Sequence, residues 1–418
     1  MRISTSQIFD SGARGIGRNQ SDLFKLQNQL STGRKVLTPE DDPIAAAQAL
    51  VLTQSKAVSS QFLKNQDDAR GKLSIAETQV AAVGDLLQSV REKLVQAGST
   101  VLSNSDRSSI AQELEGRFSE LLGIANGQDG SGSYLFSGYQ GALKPFSVDA
   151  SGAQYVGDNG KRLLQVEGSR QIATNVSGKE LFQNIRNGNG TFVTSTDGNG
   201  SGINQGTGVI DQGSVTNLAD WNANHPSKIE IRFSVVAGVT TYSLYKDSDV
   251  VPFSSGNNFV SGQAIALKDG STNYGVSVAI EGQPLDGDSF VVQPSTNESV
   301  FTTLRSAIDS INAGIGSVAS GNSSTEFVNS LAGNLQQIDQ ALENVNKTRS
   351  TVGSTLKELD SLGEAAEDMQ LQYASSLSAL QDLDYTKAIT DISQKKLQLE
   401  AAQLAFKQIS QLSLFSIL

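Results

Sequence analysis

Apolar residues recur at steps of three and four along both ends of this 418-residue chain, and at every second position in its middle. From Phe62, the positions Ala69, Leu73, Ala76, Val80, Val83, Leu87, Val90 and Leu94 trace one face of a helix. Asp42 is placed to cap its start, with Pro43 in the first turn, where a missing N–H costs nothing. A second helix is predicted from Ser105 or Asp106, carrying Ile110, Leu114, Phe118, Leu121 and Ala125. On the far side, stepping alternately four and three from Leu331 visits fifteen positions up to Leu380, and twelve are apolar. Only Arg349, Gly363 and Gln370 interrupt the series. So sustained a stripe reads as a coiled-coil-like seam.

The two extremities repeat the theme. Phe9, Ile16, Leu23 and Leu30 lie seven apart, with Leu26 between them; Ile392, Leu399 and Phe406 are also seven apart, with Ala402 and Ile409 as companions. Each end therefore predicts one narrow-striped helix. Such a helix alone in water is marginal, because nucleation is costly and its stripe stays wet. These ten residues are the expected assembly seam, closing on each other, on neighbouring copies, or both. Phe406 in particular is expected to become buried only when neighbouring copies close around it.

The middle differs. Ile229-Glu230-Ile231-Arg232-Phe233, Tyr242-Ser243-Leu244-Tyr245 and Val276-Ser277-Val278-Ala279-Ile280 alternate in strand fashion, separated by turn signals such as Asp158-Asn159-Gly160 and Asp286-Gly287-Asp288. Of 40 glycines, 25 fall between Gly127 and Gly287, and five of the 7 prolines between Pro145 and Pro294. An interior proline costs a helix ~3 kcal/mol, so the proline-free flanks are left to long helices and the middle is not. The fold class expected is α+β: long helical, coiled-coil-like parts from both ends, with a β-rich domain inserted between them. The division predicted is 1–37 with 384–418 as a terminal helical domain, 38–145 with 295–383 as a helical bundle carrying a β-hairpin, and 146–294 as the inserted β-rich domain.

Composition narrows the chemistry. The net charge of −11 argues against nucleic acid or an anionic membrane surface as the main partner. With no cysteine in the sequence, disulfides, thiolate catalysis and Cys-ligated metals are excluded. No stretch reaches the roughly 20 apolar residues of a membrane span, so no membrane insertion is expected. Met1 to Gln20 contains no apolar signal-peptide core, which implies another export route if the protein is external. The single histidine, His225, sits in an Asn-His-Pro turn and reads as solvated rather than catalytic.

Three patterns invite a chemical reading and fail it. Gly12, Gly15 and Gly17 follow no strand and lie on the terminal helical stripe, so they do not make a dinucleotide loop. Asp197, Asn199, Ser201 and Gly202 mimic the start of a calcium loop, but the closing Glu is missing, because Gly208 stands at the twelfth position. Asp382 and Asp384 could form an acid–base pair, yet they precede the last helix, where carboxylates cap free N–H groups. No catalytic, cofactor or metal site is expected, and an enzyme is not the reading.

Several segments resemble the bacterial flagellin family. Met1-Arg2-Ile3-Ser4-Thr5, Gln29-Leu30-Ser31-Thr32-Gly33-Arg34-Lys35 and Asp41-Asp42-Pro43-Ile44-Ala45-Ala46-Ala47 look like its N-terminus. Gly132 to Gly138 looks like its hairpin, and Ala401-Ala402-Gln403 and Ile409 to Phe415 like its terminal helix. The opening Arg-Ile-Ser-Thr and closing Leu-Ser-Leu-Phe are less similar to filament flagellin than to the family's hook–filament junction members, as are Tyr155 to Asp158 and Gly287 to Phe290. The resemblance covers 1–145 and 297–418. It implies a structural, extracellular flagellar subunit, exported by the flagellar type III apparatus without a cleaved signal peptide. It further implies a ring of copies between hook-associated protein 1 and flagellin, an inner tube of terminal helices, and an export chaperone on the C-terminal helix. Filament flagellin is the alternative the family leaves open; a secreted enzyme or an adhesin carried on the β domain are the readings outside it.

Overall fold

The structure is a computed structural model that describes residues 5–150, 152–196, 204–316 and 323–415, and the side chains of these except at 5, 6, 8 and 409–415. The Met1–Ser4 motif, the Asp197–Gly202 loop, and the side chains from Ile409 to Phe415 lie outside the description. The helices before the middle are α1 (Thr5–Thr32), α2 (Pro43–Ala97) and α3 (Asn104–Ala125). The middle runs β1 (Phe146–Asp149), β2 (Gly152–Tyr155), β3 (Leu163–Gln165), β4 (Gln171–Ala173), α4 (Gly178–Phe182), β5 (Ile185–Arg186), β6 (Phe192–Thr196), β7 (Val209–Ile210), β8 (Ser214–Val215) and α5 (Leu218–Asn224). It continues through β9 (Ile229–Val236), β10 (Val239–Lys246), β11 (Ser254–Asn258), β12 (Ala264–Asp269), β13 (Thr272–Glu281), β14 (Ser289–Pro294) and β15 (Asn297–Glu298). Then come α6 (Val300–Ala313), α7 (Ser324–Gln381) and α8 (Tyr385–Phe415). The α+β class with a β-rich insertion is thus what the chain forms. It folds as two units, 1–66 with 166–169 and 360–418, and 67–165 with 170–359.

In the second unit the predicted stripes become one core. Val80, Val83, Leu87, Val90 and Leu94 of α2 meet Ile110, Leu114, Phe118 and Leu121 of α3, and Leu331, Ile338 and Val345 of α7. α6 completes the bundle with Val300, Phe301, Leu304, Ala307, Ile308 and Ile311. The sequence reading did not single out this helix, although its three-and-four spacing and the Ser299 cap, whose hydroxyl accepts from Phe301 N, were present. α3 starts at a capping box, Ser103 with Asp106. Arg107, buried, donates to the carbonyls of Ala97, Ser99 and Leu102 at 2.8–3.1 Å, satisfying the end of α2 and the turn after it.

The β core is separate and lies between Phe192 and Val292. A five-stranded antiparallel sheet, β11-β10-β9-β14-β6, accompanies β12-β13-β7, with β8 also on β13. Ile231 stands opposite Leu244 on one side and Phe290 on the other. All three are buried, and a one-residue slip would turn them to solvent. Glu230, also buried, is held by Arg232 at 2.6 Å.

The predicted boundary at 146 does not coincide with the boundary between cores. Phe146 is fully buried in the helical core, 5.2 Å from both Phe182 and Phe301 between ring centroids. β1, β2, α4 and β5 supply Ala153, Leu181, Phe182 and Ile185 to the same cluster. The insertion proper leaves and rejoins this core where β5 pairs with β15 and Asn187 N donates to Thr296 O at 2.9 Å. In place of the expected regular hairpin at Gly132–Gly138, the chain makes tight turns with one isolated bridge, Gln128 to Tyr134. Asp129 holds that turn by accepting from the N–H groups of Ser131 and Ser133 at 2.9 Å.

Candidate assembly surface

In the first unit α1 and α8 lie antiparallel. Phe9 meets Phe406 edge to face, with centroids 4.8 Å apart, and Lys395 pairs with Asp22 at 2.8 Å. Ile16, Leu23, Leu26 and Leu30 of α1, and Ile392, Leu399, Ala402 and Phe406 of α8, are half-buried. Phe9 is 36% exposed, and Ile409 lies outside the described side chains. Nine of the ten seam residues therefore lie along this intramolecular pair. Phe406 does not wait for a neighbouring copy: it packs on Phe9 and over Gly12, where an added Cβ would lie 2.8 Å from its ring. Close approach is thus the use of Gly12, whereas Gly15 and Gly17 face open space. Two helices cover only one stripe of each other, which is why these side chains are half-buried rather than buried.

A second apolar set remains outside the pair. Ile389, Leu397 and Leu404 on α8 are 55–67% exposed, and Phe24 on α1 is 66% exposed. At spacings of eight and seven, the α8 residues form their own stripe, turned away from the seam. The heptad search passed over it because Ile392, Leu399 and Phe406 gave the stronger series. Along the first-unit parts of α2 and α7, Ile44, Leu50, Val51, Val58, Met369 and Leu371 are exposed too. A groove of about 420 Å³ runs between these helices, lined by Val51, Val58, Phe62, Leu362, Met369 and Tyr373. Loose apolar residues are ordinary on a monomer, but contiguous ones mark an interaction face.

The two linkers between these helix pairs are bonded to each other. Lys35 N donates to Gln381 O at 2.7 Å and Leu383 N to Gly33 O at 2.9 Å. Gly33 takes φ +70°, so the turn requires glycine, and the Tyr385 hydroxyl packs against it. Asp41 accepts from Leu37 N and Thr38 N at 2.9 and 3.0 Å and pairs with Lys25 at 2.6 Å. Those donors hold its carboxyl at about 2, well below the ordinary 3.8. Asp42 accepts from Ala45 N at 3.0 Å as the expected cap of α2.

The remaining motifs are structural. Asp384 accepts from Lys387 N at 3.1 Å and caps α8; the Asp382 side chain instead accepts from Ser378, and its backbone forms an isolated antiparallel β-bridge with that of Arg34. His225 is exposed and stacks on Trp221. Asp158 accepts from Tyr139 N and Gly160 N, and Tyr155 donates to the Phe136 or Asp158 carbonyl, its hydroxyl pushed up to about 12 chiefly by burial. Asp288, buried, accepts three backbone N–H groups, from Gln205, Gly206 and Leu285. Sequence reading met Tyr155 only as part of a resemblance, and Asp288 both there and in a turn signal; their work is to pin turns. Among the described residues no cluster of metal-ligating side chains occurs, and no helix is long and apolar enough to cross a membrane.

Comparison with known proteins gives the same picture. Residues 3–141 match the bacterial flagellin N-terminal helical region and residues 335–418 the bacterial flagellin C-terminal helical region. Flagellar hook-associated protein 3 of Escherichia coli (strain K12) is 27% identical over 417 residues, 100% of this chain and 99% of that protein. The flagellar junction protein FlgL of Legionella pneumophila has a TM-score of 0.69 at 28% identity, over 80% of this chain and 100% of that one. Flagellin of Escherichia coli (strain K12) is 29% identical over 196 residues, 46% of this chain and 36% of that protein. With flagellin regions matched at both ends and a hook-associated protein matched from end to end, the chain belongs to the bacterial flagellin family.

Proposed function

We propose that the chain is a structural, non-enzymatic subunit that joins hook to filament in the bacterial flagellum. The observation that carries this is the paired α1 and α8, which close one stripe on each other and leave a second apolar stripe for neighbouring copies. In this reading 1–37 and 384–418 enter an inner tube, the helical bundle surrounds it, and the β part faces outward. Copies form a ring between hook-associated protein 1 and flagellin. The protein leaves the cell through the flagellar type III apparatus, with a chaperone covering the C-terminal helix until assembly. End-to-end likeness to hook-associated protein 3, against partial likeness to flagellin, favours a junction over a filament subunit.

Electron microscopy of tagged protein, in the source bacterium lacking its own copy, tests this. Label confined to a band at the hook tip is expected. Label along the whole filament, or unlimited growth when purified protein is added to filament seeds, would make it a filament flagellin instead.

A further inference from the structure

The stripe that α8 leaves open has a complement elsewhere in the first unit. Ile389, Leu397 and Leu404 are exposed. Lys396 and Lys407, also exposed, lie seven and eighteen residues beyond Ile389, close to whole turns of the helix, so they share its face. Glu400 is the acid among them. Over its whole length α8 carries Lys387, Lys395, Lys396 and Lys407 against Asp391 and Glu400.

α7 presents the reverse. From residue 360 to its end at Gln381 it has no basic residue and four acids, Asp360, Glu364, Glu367 and Asp368, all exposed. Steps of three and four join them to Leu371, which is 70% exposed, so acids and leucine share one face. Both stripes are open in the single chain, so neither covers the other. The remaining helical faces of the first unit do not match the α8 stripe in charge. α2 from 43 to 66 carries Lys56 and Lys64 and no acid, and α1 exposes Arg14 and Arg18. A second α8 stripe would set Lys396 and Lys407 against their own kind.

We propose, on the basis of the junction-subunit reading, that the acidic stripe of α7 in one copy receives the basic, apolar stripe of α8 from a neighbouring copy. Leu371 and the α8 leucines lose water together, and the charges around them set which faces meet, since complementary charge fixes partner and register more than affinity. An interface made of two different faces passes from copy to copy and builds rings or helical arrays.

Charge reversal in the source bacterium tests it, with circular dichroism and secreted protein measured for every variant. Lys396→Glu with Lys407→Glu, and separately Glu364→Lys with Asp368→Lys, should each cut incorporation at the hook tip about tenfold. The four changes together should restore it. Because the chain has no cysteine, Leu371→Cys with Leu397→Cys adds a clean cross-link. A short bismaleimide should give a ladder of linked subunits in isolated flagella, and none in the free chain or in either single variant. If chains carrying the α8 reversals are not secreted, the α7 reversal and the cross-link decide. Undiminished incorporation of either reversal, no rescue by a secreted fourfold variant, or no ladder from double-cysteine protein seated at the hook tip would overturn the pairing and leave the junction reading standing. Label along the whole filament would instead overturn that reading.

Discussion

At the scale of single residues, two contacts in the terminal unit decide how the ends behave. Phe406 seats on Phe9 and over Gly12. An edge-to-face aromatic pair is worth about 0.5–1.5 kcal/mol beyond its area. Phe406→Asp removes that contact and puts a charge against the α1 face, so α1 and α8 should separate in the isolated chain. The bundle cored by Leu331, Ile338 and Val345 should melt as before, since Phe406 is not among its residues. Hydrogen exchange of 9–30, read beside the melting curve, checks both halves; loss of the melting transition would place α8 in the folded core. Asp41 carries the pH dependence of the linker. Its folded value of about 2 lies below the ordinary 3.8, so its contribution is complete above about pH 4 and is lost as pH falls through about 2. Exchange at the Leu37 and Thr38 amides should therefore gain protection from the carboxylate only above that window. In Asp41→Asn these two amides should exchange faster at neutral pH and lose the acid-dependent step.

At the scale of elements, α8 presents two faces with different work. The seam face is closed within the chain, while Leu397 and Leu404, 67% and 63% exposed, touch little of it. Leu397→Asp with Leu404→Asp should leave helicity and melting at wild-type levels and abolish incorporation at the hook tip, scored by electron microscopy and motility with the amount of secreted variant measured alongside. Normal motility would remove this stripe from the assembly surface. The middle of the chain is also two things, not one. Phe146 and Phe182 belong to the helical core, and truncating a buried phenylalanine costs about 3–5 kcal/mol, so Phe146→Ala or Phe182→Ala should lower the bundle's melting point sharply. Replacing 188–295 by a short glycine linker should be tolerated, because Asn187 and Thr296 are already hydrogen-bonded neighbours. Excising 146–294 should not be, because it strips that aromatic cluster. Thermal denaturation of the two deletions, side by side, separates the cases.

At the scale of the whole molecule, stability is distributed unevenly. The second unit holds two cores, one helical and one β, whereas among the described residues of α1 and α8 Ala388 is the sole buried apolar side chain. Local opening follows buried contact. Residues 9–30 and 388–406 should therefore exchange much faster than 331–359 in the free protein, and become protected once it is assembled. Equal protection in the free protein would contradict both the marginal pairing and its role as the assembling part.

The periodic stripes were legible in advance because a helix or strand repeats its burial at a fixed step. Val80, Val83, Leu87, Val90 and Leu94, then Leu331, Ile338, Val345, Val352 and Leu359, and Ile229, Ile231 and Phe233 are buried where their spacing put them, while Leu335, Leu342 and Leu356 are half-buried. The caps at Asp42 and Asp384 were legible for the same local reason: the side chain bonds N–H groups within three residues of itself. What lay beyond local reach was decided by tertiary structure. α6, of 14 residues, carries its helical spacing over only about four turns, and packing against α3 and α7 is what gives it a place. Phe146 sits in a strand that reads as part of the β domain, yet aromatic neighbours brought from Phe182 and Phe301 set its core. Which stripe of α8 closes on α1 and which stays exposed depends on one helix meeting another. Sequence alone determined the long helices and the main alternating strands, the division into helical ends and β-rich middle, and the poverty of catalytic chemistry. The three-dimensional fold alone decided where one core stops and which faces stay open, because each depends on contacts between residues far apart in the chain.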